Sequence, residues 1–520
     1  MSVKIKKLKL YNYKRFKEFS FEPNEKTNIL IGDNETGKST IIEAIDLVIS
    51  GSIKKAENIG VDRIINVEAQ KEFLVGPKTF ESIPRVIIEL YLDGEFGFDM
   101  NGKNNSDKTL SDGIRMICEP DVNFENEIME SNQADEQFFP FDYYKISFST
   151  FADQGYSGYK KKVSSIFIDS SNMNSDYATA NFVKRMYAHY TESNVKERVV
   201  HKSKLRQVRT KFEQDSLKDL NSRIPVQESY EFKLRTNETG DFGNELMIYD
   251  QSVALDNKGT GTQIFVKTDF ALSRANENLD VILIEEPENH LSHVKLHALI
   301  EKIEQSVDCQ IFITTHNSLI STRLELRNVF IMQGNETQKP LTLQLLSDET
   351  AKYFMKTPPA SIIEFTLSNR IILVEGPAEY MLFDMFYRNI TGEKMESDDV
   401  QILDVRGLSF KRYLEIACIT GARVAVVTDN DTDYQTHCVN KYSFFEDKEN
   451  IGIFYDNDNT KRTFEIVLED VNKETCKNLF GENAVKYMLE NKTEAAYQLM
   501  SVDGLVVPDY IERAIKWIRS

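Results

Sequence analysis

Apolar residues in this chain gather into short, nearly unbroken runs, each followed by residues at helical spacing. That is the pattern of strands buried on both faces that feed helices. Thr27 to Ile31 reads as such a strand, and Ser39 to Ile49 behind it sets Ile41, Ile42, Ile45, Val48 and Ile49 on one helix. Asp280 to Ile284, Gln310 to Thr314 and Val163 to Ile168 repeat the strand signal. From Asn101 to Pro140 the text is rich in Asn, Asp and Glu, which predicts loops with little regular structure. Ala178 to Asp219 reads as helical. From about Gln333 to Pro359 apolar periodicity fades and Gly, Pro, Thr and Lys accumulate, marking a junction. The pattern then restarts three times. Arg370 to Val374 precedes a helix with Tyr380, Leu382 and Phe383; Val400 to Val405 ends in the Gly407 turn before a helix over Lys411 to Thr420; and Arg423 to Val427 runs into Thr428-Asp429-Asn430-Asp431. Three strand-turn-helix units predict a small parallel α/β sheet whose sites lie at the carboxyl ends of its strands.

At 520 residues, two or more domains are expected. We expect one domain split over 1–100 and 225–345, an insertion over 101–224 that is partly helical and serves dimerisation or DNA contact, and a second domain over 360–520. Hydrophobic residues at 41% and charged residues at 28% describe a globular protein able to bury real cores. The basic start, MSVKIKKLKLYNYKRFKEF, holds no apolar stretch of signal or anchor type, and no segment reaches the ~18 apolar residues of a spanning helix. A cytoplasmic protein with no membrane partner is expected. The five cysteines are scattered and never form CxxC, which speaks against a disulfide framework or a zinc site.

The formal net charge of −19 weighs at first sight against a polyanionic partner, but it sums over surfaces that need not face the ligand. Against it stands a basic run of Lys184, Arg185, Lys196, Arg198, Lys202, Lys204, Arg206, Arg209 and Lys211. A solvated helix face and a contact to phosphates both account for it.

Gly32-Asp33-Asn34-Glu35-Thr36-Gly37-Lys38-Ser39 fits GxxxxGK[ST] in the strand-loop-helix frame that phosphate binding requires. Backbone N–H groups at the helix start face the phosphates, Lys38 reaches the β and γ oxygens, and Ser39 offers its hydroxyl to Mg²⁺. Gly32, Asn34, Gly37, Lys38, Ser39 and Thr40 are the expected nucleotide contacts. Asp280 to Pro287 is an apolar strand ending in Glu285 and Glu286, placed to hold the hydrated metal and to polarise the attacking water. His316, at the end of a further strand, suits a γ-phosphate sensor. Asn257 to Gln263, with Gly259 and Gly261, is a glycine-rich turn leading into a helix. His290, His293 and His297 share a helix face, but HVKLH lacks the glutamate of HExxH. In this order the elements resemble the ATP-binding cassette superfamily, specifically its SMC and RecF-like branch. That resemblance implies a homodimer or higher homo-oligomer closing around ATP.

In the carboxyl-terminal units, Glu375, Asp429 and Asp431 follow strand ends. Carboxylates converging at one edge raise one another's pKa unless a cation neutralises them, so Mg²⁺ or Mn²⁺ is the expected resident. Such equipment activates water or a hydroxyl against a phosphodiester. Asp433 either joins the cluster or caps the next turn, and Asp456-Asn457-Asp458 reads as a surface turn. VEGPAE followed by TDNDTD resembles the Toprim domain of primases, type II topoisomerases and certain nucleases. A P-loop ATPase ahead of a Toprim domain resembles the overcoming-lysogenisation-defect (OLD) family of ATP-dependent nucleases, which includes a subunit of the Gabija anti-phage system and nucleases of some retrons.

The resemblance implies an α/β fold: an ABC/SMC-like P-loop ATPase domain with a helical insertion, then a carboxyl-terminal Toprim α/β domain. It also implies that Glu375 and Glu379 form a first acidic pair and Asp429 and Asp431 a second, with Glu465 binding a second metal and Lys492 stabilising charge on the phosphate. VVPDYIERAIKWI looks like the family's closing helix. The expected function is an ATP-regulated, metal-dependent DNA endonuclease of anti-phage defence, partnered by DNA and by a helicase subunit or a retron RNA–DNA. A RecF- or SMC-like ATP-dependent DNA clamp in repair, with the Toprim fold as a platform, is the alternative.

Overall fold

The computed structural model describes residues 3–134, 139–158, 162–169, 183–184, 186–187, 190–191, 195–223, 234, 246–250, 252–273, 279–305, 309–333, 339–357, 362–405 and 409–520. The chain divides into a smaller compact unit, Met1–Val3 with Val163–Ile311, and a larger one, Lys4–Lys162 with Phe312–Ser520.

The larger unit opens with an antiparallel sheet. Its strands are β1 (Lys4–Tyr13), β2 (Phe16–Phe21), β4 (Val86–Asp93), β5 (Asn101–Gly102), β6 (Ser111–Pro120) and β7 (Tyr144–Thr150). They run in the order β2-β1-β4-β6-β5, with β7 also on β6. Between β2 and β4 come β3 (Thr27–Gly32) and α1 (Lys38–Ser50), and Ile41, Ile42, Ile45, Val48 and Ile49 of α1 are all fully buried. The region expected to be loops thus holds β6 and a helix, α2 (Glu125–Ala134). The reason is that SDGIRMICEP alternates buried and half-buried positions between polar turns, a weaker signal than a continuous apolar run. Glu89, 2% exposed, and Asp107 pin the loop before β6: Glu89 accepts the N–H and hydroxyl of Ser106, and Lys7 reaches Asp107 at 2.8 Å.

In the smaller unit, β8 (Ser165–Asp169) lies parallel to β9 (Val281–Glu285). Asp280 fixes this pair by accepting the N–H groups of Val3 and Ser164, each at 2.8 Å. Its longer helices among the described residues are α3 (Val195–Phe212), α4 (Thr260–Ser273) and α5 (His293–Gln305). The basic run lies largely on α3, where Lys202, Lys204 and Arg206 are exposed; Arg185 lies outside the described residues.

Beyond β10 (Gln310–Thr314), the larger unit continues with α6 (Ser318–Arg323) and β11 (Val329–Met332), which pairs parallel with β3. Thr315 donates its N–H to the carbonyl of Leu30 at 3.1 Å, bringing the end of β10 alongside β3. Within the expected junction stands a helix, α7 (Asp348–Lys356), capped by Ser347 and burying Ala351 and Phe354. Its nine residues, four of them charged, are too few for apolar periodicity to show. Then follow α8 (Ile362–Leu367), β12 (Arg370–Val374), α9 (Pro377–Thr391), β13 (Val400–Asp404), α10 (Phe410–Thr420), β14 (Arg423–Val427) and β15 (Ile451–Phe454). The four strands form one all-parallel sheet in the order β13-β12-β14-β15, and the expected Gly407 turn lies outside the described residues. Five more helices complete the domain, among them α11 (Phe464–Val471), α12 (Lys492–Leu499) and α13 (Asp509–Arg519). In α13, Tyr510, Ile511, Ala514, Ile515 and Ile518 are buried on the core that β12 and β14 share with α9. Among the described residues, no helix is long and apolar enough to cross a membrane.

Candidate functional site

The phosphate loop leaves β3 at Gly32 and enters α1 through Gly37, whose φ of +96° is a left-handed conformation that glycine adopts without strain. A Cβ there would stand 2.4 Å from the Phe16 ring and 2.8 Å from Arg15. The first turn of α1 carries no capping side chain and no acid, so its dipole and N–H groups suit an anion. Lys38, 5% exposed, folds its ammonium back to the carbonyls of Gly32 and Asp33, both at 2.8 Å. Asn34 and Ser39 are exposed and Thr40 is half-buried. His316 is exposed just past β10, where Asn317 caps α6.

Lys14 and Arg15, at the β1–β2 turn, were not among the expected contacts. With Glu43, Asp62, Arg63 and Asn66 they line a cavity of about 690 Å³ beside α1. Their signal in the sequence was the basic opening run, which carries no motif by itself.

Glu285, Glu286, Gly259 and Gly261 belong to the smaller unit. Glu285 ends β9, and Glu286 takes a left-handed φ of 39° and accepts from Asn289 at 2.7 Å. Gln263, 4% exposed, holds the glycine turn by donating to the carbonyls of Asp256 and Lys258. Lys295 of α5 reaches Thr262 at 2.7 Å. The exposed rings of His293 and His297 stack with centroids 4.7 Å apart.

In the carboxyl-terminal sheet, the two central strands bring their acids together. Glu375, just past β12, accepts on its Oε1 the hydroxyl of Thr428 at 2.6 Å and the N–H of Asp429 at 3.0 Å. Glu379, in the first turn of α9, is 8% exposed, and Glu465, in the first turn of α11, is 3% exposed. Lys492 opens α12 and meets Glu465 at 2.9 Å. Burial, then Glu375, Glu379 and Glu465, push the Asp429 carboxyl up to about 8, with Lys492 acting against them. Burial, then Glu465 and Glu375, push Glu379 up to about 7. Glu375, Glu379, Asp429, Glu465 and Lys492 therefore form one electrostatic group.

Asp431 stands apart from that group. It is exposed at the tip of the turn with a φ of 46°, and its charge is felt by Tyr442 and Cys438. Asn430 determines this placement: its side chain is buried, donates to the carbonyls of Asp456, Asp458 and Lys461, and accepts the N–H of Thr432. Asp433 caps the next turn, accepting the N–H and hydroxyl of Thr436 at 3.2 and 2.6 Å. Asp456 to Asp458 is an exposed turn closed by the N–H of Asp458 on Asp456. Thr428 and Asn430 lay inside the TDNDTD segment, where reading for acids alone passes over them.

Among the described residues, no three His, Cys, Asp or Glu side chains meet as ready ligands of one ion. The chemistry of the group nonetheless fits a hard divalent cation. Glu465 keeps a buried Oε2 with no hydrogen-bond partner, and two neighbouring carboxyls are pushed toward neutrality by burial and by the acids around them.

Residues 367–431 match the family described as overcoming lysogenization defect protein-like, TOPRIM domain, and residues 3–320, more than half of the chain, match the AAA ATPase domain family. The chain is similar to the retron Vc95 probable ATPase of Vibrio cholerae serotype O1 biovar El Tor, 32% identical over 114 residues, 21% of this chain and 22% of that one. It is also similar to the DNA replication and repair protein RecF of Clostridium kluyveri, 30% identical over 101 residues, 19% of this chain and 26% of that one. These matches span about a quarter of the length of either relative. The crystal structure of the carboxyl-terminal region of the Xanthomonas campestris pv. campestris OLD protein aligns with a TM-score of 0.23 at 18% identity, over 29% of this chain and 92% of that one. The matched Toprim segment ends at Asp431, so Glu465 and Lys492 join the site through the geometry alone.

Proposed function

The chain belongs to the overcoming-lysogenization-defect-like family, in which an ATPase domain precedes a Toprim domain, and from this we propose that it is an ATP-regulated, divalent-metal-dependent DNA endonuclease. The observation that carries the proposal is the union of half-buried Glu375 and Asp429 at adjacent strand ends, with buried Glu379 and Glu465 beside them. A structural platform has no use for clustered acids, which raise one another's energy.

Glu375, Glu379, Asp429 and Glu465 would hold the ions, while Asp431 is exposed on the turn that follows Asp429. Bound there, Mg²⁺ or Mn²⁺ supplies Lewis acidity toward a phosphodiester and a more acidic water. Lys492, half-exposed and paired with Glu465, is placed to stabilise charge on the phosphate. Thr428 orients Glu375. In the ATPase domain, Lys38 would exchange its loop carbonyls for phosphate oxygens while the start of α1 takes up their charge. Glu285, Glu286, Gly259, Gly261 and His316 take nucleotide-contacting roles on this reading, in a homo-oligomer that forms around ATP. The 114-residue alignment, 32% identical, with a retron probable ATPase supports a place in anti-phage defence beside an RNA–DNA partner.

The RecF likeness favours a second reading, a DNA-binding ATP clamp. Supercoiled plasmid incubated with the protein and Mg²⁺ or Mn²⁺, with and without ATP, separates the two. Metal-dependent nicking or linearisation that Asp429→Ala abolishes, and whose response to ATP Lys38→Ala removes, supports the nuclease. DNA retention without cleavage under every nucleotide condition supports the clamp.

A further inference from the structure

Helix α7 is fastened at both ends. On the Toprim side, Glu415 of α10 accepts the N–H and hydroxyl of Ser347, the hydroxyl at 2.9 Å, and also the hydroxyl of Thr350. A carboxylate thus meets the positive end of α7, where charge and dipole reinforce the hydrogen bonds. Arg412 adds bonds to Thr350 and Glu349 at 3.0 and 3.1 Å, and Tyr353 accepts the N–H of Ser409 at 3.1 Å. On the ATPase side, Arg323 at the end of α6 donates to the carbonyl of Met355, and Arg327 pairs with Asp348.

Each of these elements leads to a site. Helix α6 begins two residues after His316, whose neighbour Thr315 is bonded to the strand of the phosphate loop. Helix α10 ends at Gly421 and passes directly into β14, which delivers Thr428 and Asp429 to Glu375. The N–H of Arg423 bonds the carbonyl of Asn369 at 2.8 Å, tying the start of β14 to that of β12. A polar cleft of about 400 Å³ lies there, lined by Asp33 and Thr36 of the phosphate loop and by Asn369, Thr420 and Ala422. The nucleotide loop therefore borders the amino ends of the two strands whose carboxyl ends carry the acid pair.

We propose that α7, latched to α10 by Glu415, transmits the nucleotide state of the phosphate-loop lobe to the placement of Asp429 against Glu375. Helices and strands packed in this way move as rods, and a displacement at α6 reaches β14 only through a latch that holds. The proposal rests on the nuclease reading for its output, but the transmission itself can be read without DNA.

The test is hydrogen exchange on the full chain, with and without ATP and Mg²⁺, in wild type, Glu415→Ala, Thr350→Val and Lys38→Ala, beside plasmid cleavage by each. In wild type, ATP should change exchange by roughly 5-fold or more, the lower range of measured site couplings, both over residues 28–50 and over 410–429. Lys38→Ala should remove both changes. Glu415→Ala should keep the first and lose the second, and its cleavage should no longer respond to ATP although the basal rate persists. Thr350→Val, which deletes the hydroxyl's bonds to Glu415 and Arg412 but leaves those of Ser347, should lose part of the second change, a result that holds even where Glu415→Ala lowers the melting temperature. An ATP effect at 410–429 that survives Glu415→Ala overturns the proposal. Exchange transmitted through Glu415 in a protein that cuts no DNA keeps the link and discards only the nuclease.

Discussion

Glu375 accepts the backbone N–H of Asp429 at 3.0 Å, on the same oxygen that takes the Thr428 hydroxyl at 2.6 Å. Two neighbouring parallel strands are thereby closed at their carboxyl ends, and one carboxylate oxygen of Glu375 is committed to protein donors. Thr428→Val removes a donor to a charged group, a loss of ~1.5–3 kcal/mol, or about tenfold or more in metal affinity or rate. Thr428→Ser keeps the hydroxyl. Titrating cleavage with Mn²⁺ should show a raised metal requirement in the valine variant and a near-normal one in the serine variant; equal behaviour of the two would remove Thr428 from the site.

Asp429 at about 8 and Glu379 at about 7 lie above their ordinary values of 3.8 and 4.5. At pH 6 the folded protein holds protons that the unfolded chain has released. Without metal, stability should therefore fall as pH rises from about 4 toward 8. A divalent cation competes with those same protons, so its affinity should rise over pH 7 to 8. Melting in EDTA at pH 6 and 8.5, with Mn²⁺ calorimetry at both, should show opposite trends, and Asp429→Asn should flatten each. An unchanged pH slope in that variant would place the effect elsewhere.

Gly37 and Gly259 make a contrasting pair. Alanine at position 37 combines a φ of +96° with a Cβ 2.4 Å from Phe16, so Gly37→Ala should lower the melting temperature as well as abolish nucleotide binding. A Cβ on Gly259 meets nothing within 4 Å. Gly259→Ala should melt as wild type, so any loss of ATP turnover in it reports contact with nucleotide. A large melting shift in Gly259→Ala would contradict this.

Strands β3, β12 and β14 were legible in the sequence because burial on both faces leaves unbroken apolar runs, and the loops after them carry residues that chemistry demands. Strand β6 and helix α7 were not. One alternates half-buried positions between acidic turns, and the other is too short and too charged to show a period. Lys14, Thr428 and Asn430 escaped for another reason: each acts on a partner that the fold supplies, as Thr428 does on Glu375, 53 residues away. Acids could be found by type, whereas the groups that aim them become visible only in register. The separation of Asp431 from the buried acids likewise depends on Asn430, whose three carbonyl partners lie beyond the TDNDTD segment.

Lys202, Lys204 and Arg206 lie exposed on α3, with Arg209 on the same helix, in a chain whose net charge is −19. Long-range attraction of the whole molecule for DNA is unfavourable, so binding needs a local surface that displaces counterions from phosphates. Each phosphate neutralised adds about 0.9 to the slope of log affinity against log salt. Replacing all four residues by alanine should lower that slope by up to about 3 to 4 and weaken binding evenly across sequences. The folded state should be untouched, because none of the four is buried. A slope equal to wild type would show α3 to be a solvated face, and DNA contact would then fall to the Toprim domain, where Lys492 and its neighbours would carry the whole salt dependence.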